Sequence, residues 1–438
     1  MKRILPLFML LLSTVMAYPQ GEKLEVAAYG QTIVEVGKPS TLSLYTFNAC
    51  DNPITRIDYW IECDGDTTRG NLLLEKAIGR GVATAVNIPL PPFNSFPRFQ
   101  LSVGIDSVNG LPNGAETKVG GGWVLPVTQK ARHRVFIEEF TGTWCPNCPR
   151  GIVALEKLER LYGDSVVMAA IHNDDVMACK GYGSVTQNVE GLPYAFVDRW
   201  IGGDPYWGTG YAGFGMRDIV GRCLSMGAEA TLDITKALWN EDSTAISLTT
   251  ASTFFCQAAA ADYALGYVVT EDAMRGEGSG WYQANNLMND LEFAFDDDFK
   301  RFYEGGKQIK NMTYNHVAVG GWKPGSGYDN CFGGSIEEGY EMTADKTLDI
   351  SAINMIQDKS KIKVIALLID RKLGRIANVA ESSVSASTSD ALPRISLTWG
   401  QRRMAKAYQA DGRLTTRTSG GLIIEQQEDG TVRKYLTK

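Results

Sequence analysis

Histidine is nearly missing from this chain: three occur in 438 residues, at positions 133, 172 and 316. So scattered a set argues against a histidine-built metal centre. Only one Cys-x-x-Cys is present, Cys145 to Cys148, where a structural zinc site needs four ligands. No metal and no cofactor are therefore expected. Excess positive charge is also lacking: 43 Lys and Arg stand against 50 Asp and Glu, for a net charge of −7. That balance sets nucleic acid aside as a partner. Long apolar runs are absent too. The one near the N-terminus, Ile4 to Val15, is about a dozen residues, short of the roughly 20 a membrane-spanning helix needs. The glycine-rich stretches "RGEGSGW" and "VGGWKPGSGYDNCFGG" lack the Lys-Ser/Thr ending of a phosphate loop and read as surface loops. The densest acidic cluster, Asp296-Asp297-Asp298, lacks the spacing of a calcium loop and reads as solvated. No long-period repeat is evident.

What is there begins with "MKRILPLFMLLLSTVMA". Two cations, an apolar run and a small-residue cleavage pattern make residues 1–17 a secretory signal peptide. Lys2 and Arg3 leave with it, making the mature chain two units more acidic. No Cys follows closely, so no bacterial lipid-anchor site is offered. An exported chain with eight cysteines permits disulfides. Cys50 and Cys63 are poor partners, because a straight strand from Thr55 carries Cys63 away at about 3.3 Å per residue. Cys179 fits either a third redox thiol or a disulfide partner of Cys223, and the sequence does not choose.

The length calls for several domains. Residues 23–128 read as a β-sandwich, immunoglobulin-like in size and spacing. Segments such as "STLSLYTF", "ITRIDYWIE" and "RFQLSVGID" are short, β-branched and bounded by turn residues. From Lys130 the texture changes. "RVFIEEF" predicts a strand, "CPRGIVALEKLERLYG" an amphipathic helix stopped by Gly163, and "SVVMAAIH" a strand buried on both faces. Together they make a βαβ unit. "LPYAFVDRW" predicts another strand and "GFGMRDIVGRCLSMG" a second helix, while "IGGDPYWGTGYAG" hides any final strand. Residues 228–385 return to β texture and predict a second sandwich. "SSVSASTSDALP" reads as a linker. Residues 391–438 end in "GLIIEQ" and "GTVRKYL" around a Glu428-Asp429-Gly430 turn, a hairpin signal.

The chemistry sits in "EEFTGTWCPNCPRG", residues 138–151. A Cys where a strand ends and a helix begins meets unsatisfied N–H groups and the helix dipole, which favour a thiolate. Cys145 is then the nucleophile, exposed, and Cys148, one turn on and shielded, resolves a mixed disulfide. A structural disulfide remains the alternative. His172, at the end of a strand, is either a modulator of the dithiol or a hydrogen-bonded loop histidine.

Glu139-Phe140 followed by Trp144-Cys145-Pro146-Asn147-Cys148 and a helix resembles thioredoxin. The resemblance implies that Glu139 is a buried carboxylate relaying protons to the resolving Cys. It also implies that Gly191-Leu192-Pro193 is a cis-proline loop presenting backbone to a bound peptide, with Trp144 and Leu192 as binding residues. The usual Gly-Pro between the cysteines is Pro146-Asn147 here, and Pro149 follows Cys148, which leaves the direction of reaction open. With "AIHNDD", "GLPYAFVDR" and "IANVAESSV", the chain is similar over roughly 130–385 to the Omp-twenty-eight-related outer membrane proteins of Bacteroides-type bacteria. The C-terminal "GGLIIEQQEDGTVRKYLTK" resembles an outer-membrane secretion sorting signal, the alternative being a simple hairpin.

The expectation is thus a multi-domain α/β plus β protein. A central thioredoxin-like α/β domain (130–227) would be flanked by immunoglobulin-like or other β-sandwich domains. It would be exported to the periplasm or outer membrane and act on protein thiols or disulfides of the cell envelope through Cys145, Cys148, Glu139 and Pro193. The second expectation is an envelope binding or assembly protein using that domain as a non-catalytic scaffold.

Overall fold

The strand Ser40–Asn48 shows how the N-terminal region is put together: Leu42 and Leu44 are fully buried while Thr41, Ser43 and Tyr45 face outward. This period of two is what one covered sheet face demands. The computed structural model describes residues 22–386, apart from 28, 29, 64, 187, 188, 190, 211 and 212, together with three strands of the tail. Ser40–Asn48 lies between Leu24–Val26 and Ala83–Leu90. A second sheet runs in the order Gln31–Glu35, Val119–Val127, Phe99–Val108, Ile54–Cys63 and Asp66–Ile78. The two sheets share a core in which Leu42, Leu44 and Ile88 meet Ile57, Ile61 and Val103. The proline-rich stretch 91–98 forms no strand, consistent with the missing N–H groups.

Beyond residue 130 the expected division fails. One eight-stranded sheet runs in the order Ile201–Gly203, Tyr194–Val197, Val135–Thr141, Val166–His172, Val317–Trp322, Tyr263–Glu271, Ile362–Asp370 and Arg375–Ser383. The first four strands come from the expected α/β domain and the last four from the expected second sandwich. They join where Ala170 pairs with Val317 in parallel and the Ala170 amide donates to His316 O at 2.7 Å. A self-standing central thioredoxin-like α/β domain flanked by sandwiches is therefore corrected. The protein is mostly β, 47% strand against 14% helix, and the described residues of 22–386 fall in one compact unit. The physical reason lies in two strands. Tyr263–Glu271 and Ile362–Asp370 are buried at nearly every position, the signature of interior strands covered on both faces rather than of a half-solvated sandwich. Val317–Trp322, backed by these two strands, covers the edge that Val166–His172 would otherwise expose.

Two further expectations change. The first four residues of "VGGWKPGSGYDNCFGG" are not loop but the end of the strand Val317–Trp322 inside this sheet. The backbones of Gly181 and Gly321 lie against each other, so closely that a Cβ on Gly181 would fall 2.7 Å from Gly321 N, while a Cβ on Gly320 would meet the Trp322 ring. The final strand hidden in the glycine-rich segment is Ile201–Gly203, paired antiparallel to Tyr194–Val197.

The helices Pro149–Tyr162 and Gly215–Met226 cover one face of the sheet, packing Leu155, Leu158, Ile219 and Val220 on Ile137, Met168 and Val197. The strands Asp233–Trp239, Ala245–Thr253 and Glu341–Asp349 form a separate antiparallel sheet. A 45-residue insertion, 272–316, leaves after Tyr263–Glu271 and returns at Val317. It docks on helix Pro149–Tyr162: Lys157 holds Asp296 at 2.7 Å and Asp298 at 2.9 Å, and Arg160 holds Asp298 at 2.7 Å. The acidic cluster read as solvated is thus this insertion's anchor.

The tail strands Lys406–Gln409, Gly421–Gln426 and Val432–Thr437 pair antiparallel in that order within a separate unit, Leu392–Lys438. The signal-peptide segment 1–17, the turn at 428–430 and most of the linker lie outside the described residues. Among the described residues no helix is long and apolar enough to cross a membrane.

Candidate active site

Strand Val135–Thr141 delivers the chain to the edge of the sheet, where Gly142 to Asn147 turn it into helix Pro149–Tyr162. Cys145 N donates to Gly142 O at 3.1 Å and Cys148 N to Cys145 O at 3.2 Å. Cys148 is the N-cap and Pro149 the first helical residue, a position where the missing N–H costs nothing and the fixed φ suits the helix. Pro149 is thereby accounted for. Cys145 and Cys148 are disulfide-bonded with Cα atoms 5.4 Å apart, the one disulfide among the described residues.

The exposed Cys145 expected from sequence is not found: it is 3% exposed and Cys148 is 0%. The cover is the segment 279–286 of the insertion. Ala284 N donates to Thr143 O at 2.7 Å, Asn286 N to Pro146 O at 2.8 Å, and the Gln283 Nε2 to Cys145 O at 2.9 Å. The Thr143 hydroxyl donates to Gly280 O at 3.1 Å. Nothing in the local sequence around the dithiol announces these residues, which stand 138 positions away in the case of Gln283.

Glu139 lies on the helix face of the sheet, 1% exposed, its carboxyl against the Cα of Gly151 in the first helical turn. Burial pushes its pKa up to about 8, with the Thr141 hydroxyl opposing and the Asp204 charge adding to the rise. Its Oε1 has no hydrogen-bond partner. A cavity of about 30 Å³ adjoins it, bounded by Thr141, Ile152, Ala170, His172 and His316, room for a water molecule.

His172 is held by Asp175, with Nδ1 and Oδ2 2.7 Å apart, and stands edge-on to Tyr314. The same Oδ2 accepts Thr143 N at 2.8 Å, so Asp175 ties the loop after one strand to the loop before the dithiol. Burial pushes the Asp175 carboxyl up, but His172 and the amides of Thr143 and Met177 outweigh it and hold it below the usual range. Asp175 is a site residue the sequence did not single out.

The Leu192–Pro193 bond is cis. Tyr194 pairs with Phe140, which puts Pro193 level with Thr141 at the dithiol end of the sheet. Leu192 is half-buried and packs on the core around Phe136, Phe140 and Tyr182. Trp144 is 51% exposed, with Nε1 donating to Asn173 O at 2.7 Å. It borders a groove of about 560 Å³ shared with Asp174, Val176 and Tyr282.

His133 bonds Cys223 O at 2.8 Å and faces Asp198. Cys179 and Cys223 are not joined to each other, and burial pushes both thiols up. Trp281 and Trp322 pack against the main core. Among the described residues no group of three His, Cys, Asp or Glu side chains is placed to hold a metal.

No family model matches the chain, and no curated protein does. Among solved structures, it is similar to HBP35 of Porphyromonas gingivalis at 14% identity and a TM-score of 0.42, over 70% of this chain and 98% of that one. Protein AGR_C_4864 from Agrobacterium tumefaciens matches at 18% identity and 0.29, over 58% and 94%. The CARDB domain of PF1109 from Pyrococcus furiosus matches at 14% and 0.20, over 25% and 96%. Likenesses this distant carry no argument about activity.

Proposed function

We propose that the protein is an exported thiol-disulfide oxidoreductase acting on protein disulfides of the cell envelope through its Cys-Pro-Asn-Cys dithiol. The observation that carries the reading is Glu139. A carboxyl group buried with an unpartnered oxygen is costly. Its pKa of about 8 lies near that of a free thiol, about 8.5, which suits proton exchange with one. In the reduced protein, the Cys145 thiolate attacks one sulfur of a substrate disulfide and expels the other as thiolate. Cys148 then gives its proton to the ionised form of Glu139 and attacks the Cys145 sulfur. The second substrate sulfur leaves as a thiolate, which takes up that proton to become a thiol, and the protein disulfide re-forms. The substrate gains the two electrons that the dithiol loses, and the reverse sequence oxidises a substrate dithiol. Pro193 would align the incoming peptide. The leader-like N-terminus and the resemblance to Omp-twenty-eight-related proteins support the envelope setting and a peripheral outer-membrane association.

One observation favours a second reading, an envelope binding or assembly protein with the disulfide as a staple: Cys145 is buried. Titrating the couple in dithiothreitol buffers separates the two, with a Cys148→Ser variant to trap mixed disulfides. A reversible potential between about −120 and −270 mV, with trapped partners, is expected of the oxidoreductase. A pair still oxidised below about −300 mV, trapping nothing, is expected of the staple.

A further inference from the structure

We propose that segment 279–286 is an internal pseudosubstrate, and that the substrate is an extended polypeptide segment which displaces it and takes over its backbone bonds; this rests on the oxidoreductase reading. The contacts are main-chain donors of the segment set on carbonyl acceptors of the turn that carries the dithiol. Alternate residues, Ala284 and Asn286, turn their N–H groups to Thr143 O and Pro146 O, on either side of Cys145. Between them the Gln283 amide reaches Cys145 O itself. An extended chain adding to exposed backbone acceptors gains affinity from main-chain bonds that any sequence supplies. The place a substrate backbone would take is filled by the protein's own.

Two features make the segment fit to leave. Its ladder within the insertion is two residues long, Gln283 and Ala284 against Ile309 and Gln308, and so short a pairing is marginal. Gln283 is buried with its Oε1 unpartnered, so the closed state carries an uncompensated desolvation cost. The rest of the insertion stays anchored without it. Asp296 and Asp298, outside the segment, grip the helix independently. Beside the segment, the groove bordered by Trp144, Val176 and Tyr282 offers space and apolar surface for side chains flanking a substrate disulfide; Trp144 and Val176 are 51% and 45% exposed.

The test is the rate at which dithiothreitol reduces Cys145–Cys148 in the full chain. Gln283→Ala combined with Ala284→Pro removes three hydrogen bonds to the dithiol loop and is expected to raise that rate by at least about tenfold. A synthetic peptide of residues 279–287, SGWYQANNL, added to the variant is expected to slow reduction again. An unchanged rate in a variant that keeps its near-ultraviolet dichroism overturns the proposal, as does failure of the peptide to protect. Should the variant not fold, wild-type hydrogen exchange decides. Faster exchange at Ala284 and Asn286 than across Tyr263–Glu271 is expected, and equal protection overturns the proposal. Trapping by Cys148→Ser is scored separately. Faster, peptide-sensitive reduction with nothing trapped leaves the cover standing and removes the oxidoreductase and the substrate with it. Trapped partners with an unchanged rate keep the oxidoreductase and remove the pseudosubstrate.

Discussion

Glu138 and Glu139 are neighbours in one strand, both buried, and they face opposite sides of the same sheet. Glu138 is met by Arg199 through two bonds, at 2.6 and 2.7 Å, amid the core of Phe136, Phe140 and Tyr182. Glu139, under the helices, meets no cation and keeps an oxygen without a partner. The same contrast holds at larger scale. Where the N-terminal sandwich abuts the large sheet, Arg98 and Arg375 are interleaved with Asp370 and Glu229 in a buried cluster whose formal charges cancel. Buried charge in this protein is balanced where it holds elements together. Beside the dithiol, Glu139 has no such counter-charge, and burial raises its pKa.

The contrast breaks most visibly by unpairing Arg199. Glu138→Ala leaves a buried guanidinium alone and is expected to cost about 3–5 kcal/mol, read from a lowered urea midpoint at constant m. A loss below 1 kcal/mol would mean that the pair is not the architectural element described here. Glu139→Gln should do the reverse. The unfolded carboxyl titrates near 4.5 and the folded one near 8, so between those values the fold retains a proton the unfolded chain releases. Wild-type stability therefore falls as pH rises from 4.5 to 8 and levels off above. The variant lacks that slope and gains roughly 3 kcal/mol at pH 7. Unfolding curves at pH 5, 7 and 9 with parallel slopes for both proteins would refute it. Gly151→Ala places a Cβ on the Glu139 carboxyl and is expected to cost about 1–3 kcal/mol, but to be nearly neutral in a Glu139→Ala background; calorimetry of the four proteins gives the coupling. Smallest is Asp298→Asn, which loosens half-exposed pairs worth about 0.5 kcal/mol each. Hydrogen exchange should quicken in 279–286 and not in Val135–Thr141. Uniform quickening would show that the cluster stabilises the whole fold rather than the insertion.

Much of the local structure was legible. The run from Val135 to His172 spells strand, helix and strand through its apolar spacing, and Gly163 stops the helix as expected, with a positive φ of 53°. Cys145 and Cys148 were legible from their place between a strand and a helix, whereas Glu139 and the cis Leu192–Pro193 bond came with the resemblance to thioredoxin. The joining of Val166–His172 to Val317–Trp322 was not foreseen, because Gly320-Gly321-Trp322 carries the composition of a loop. The unbroken apolar runs in Tyr263–Glu271 and Ile362–Asp370 did signal burial on both faces, and reading them as sandwich strands overlooked it. Asp296 and Asp298 looked solvated because a charge cluster does not name its counter-ions, which here sit on a helix nearly 140 residues earlier.

The sequence by itself determined where a dithiol, its buried carboxyl and its helix would form, because these depend on side chains a few residues apart and on the backbone preferences of Pro and Gly. Tertiary structure alone decided that two expected domains share one sheet and that Cys145 lies covered. Both outcomes rest on strand edges and peptide groups meeting across long stretches of chain. A backbone N–H or C=O is alike at nearly every position, so its distant partner leaves no trace in the order of the residues.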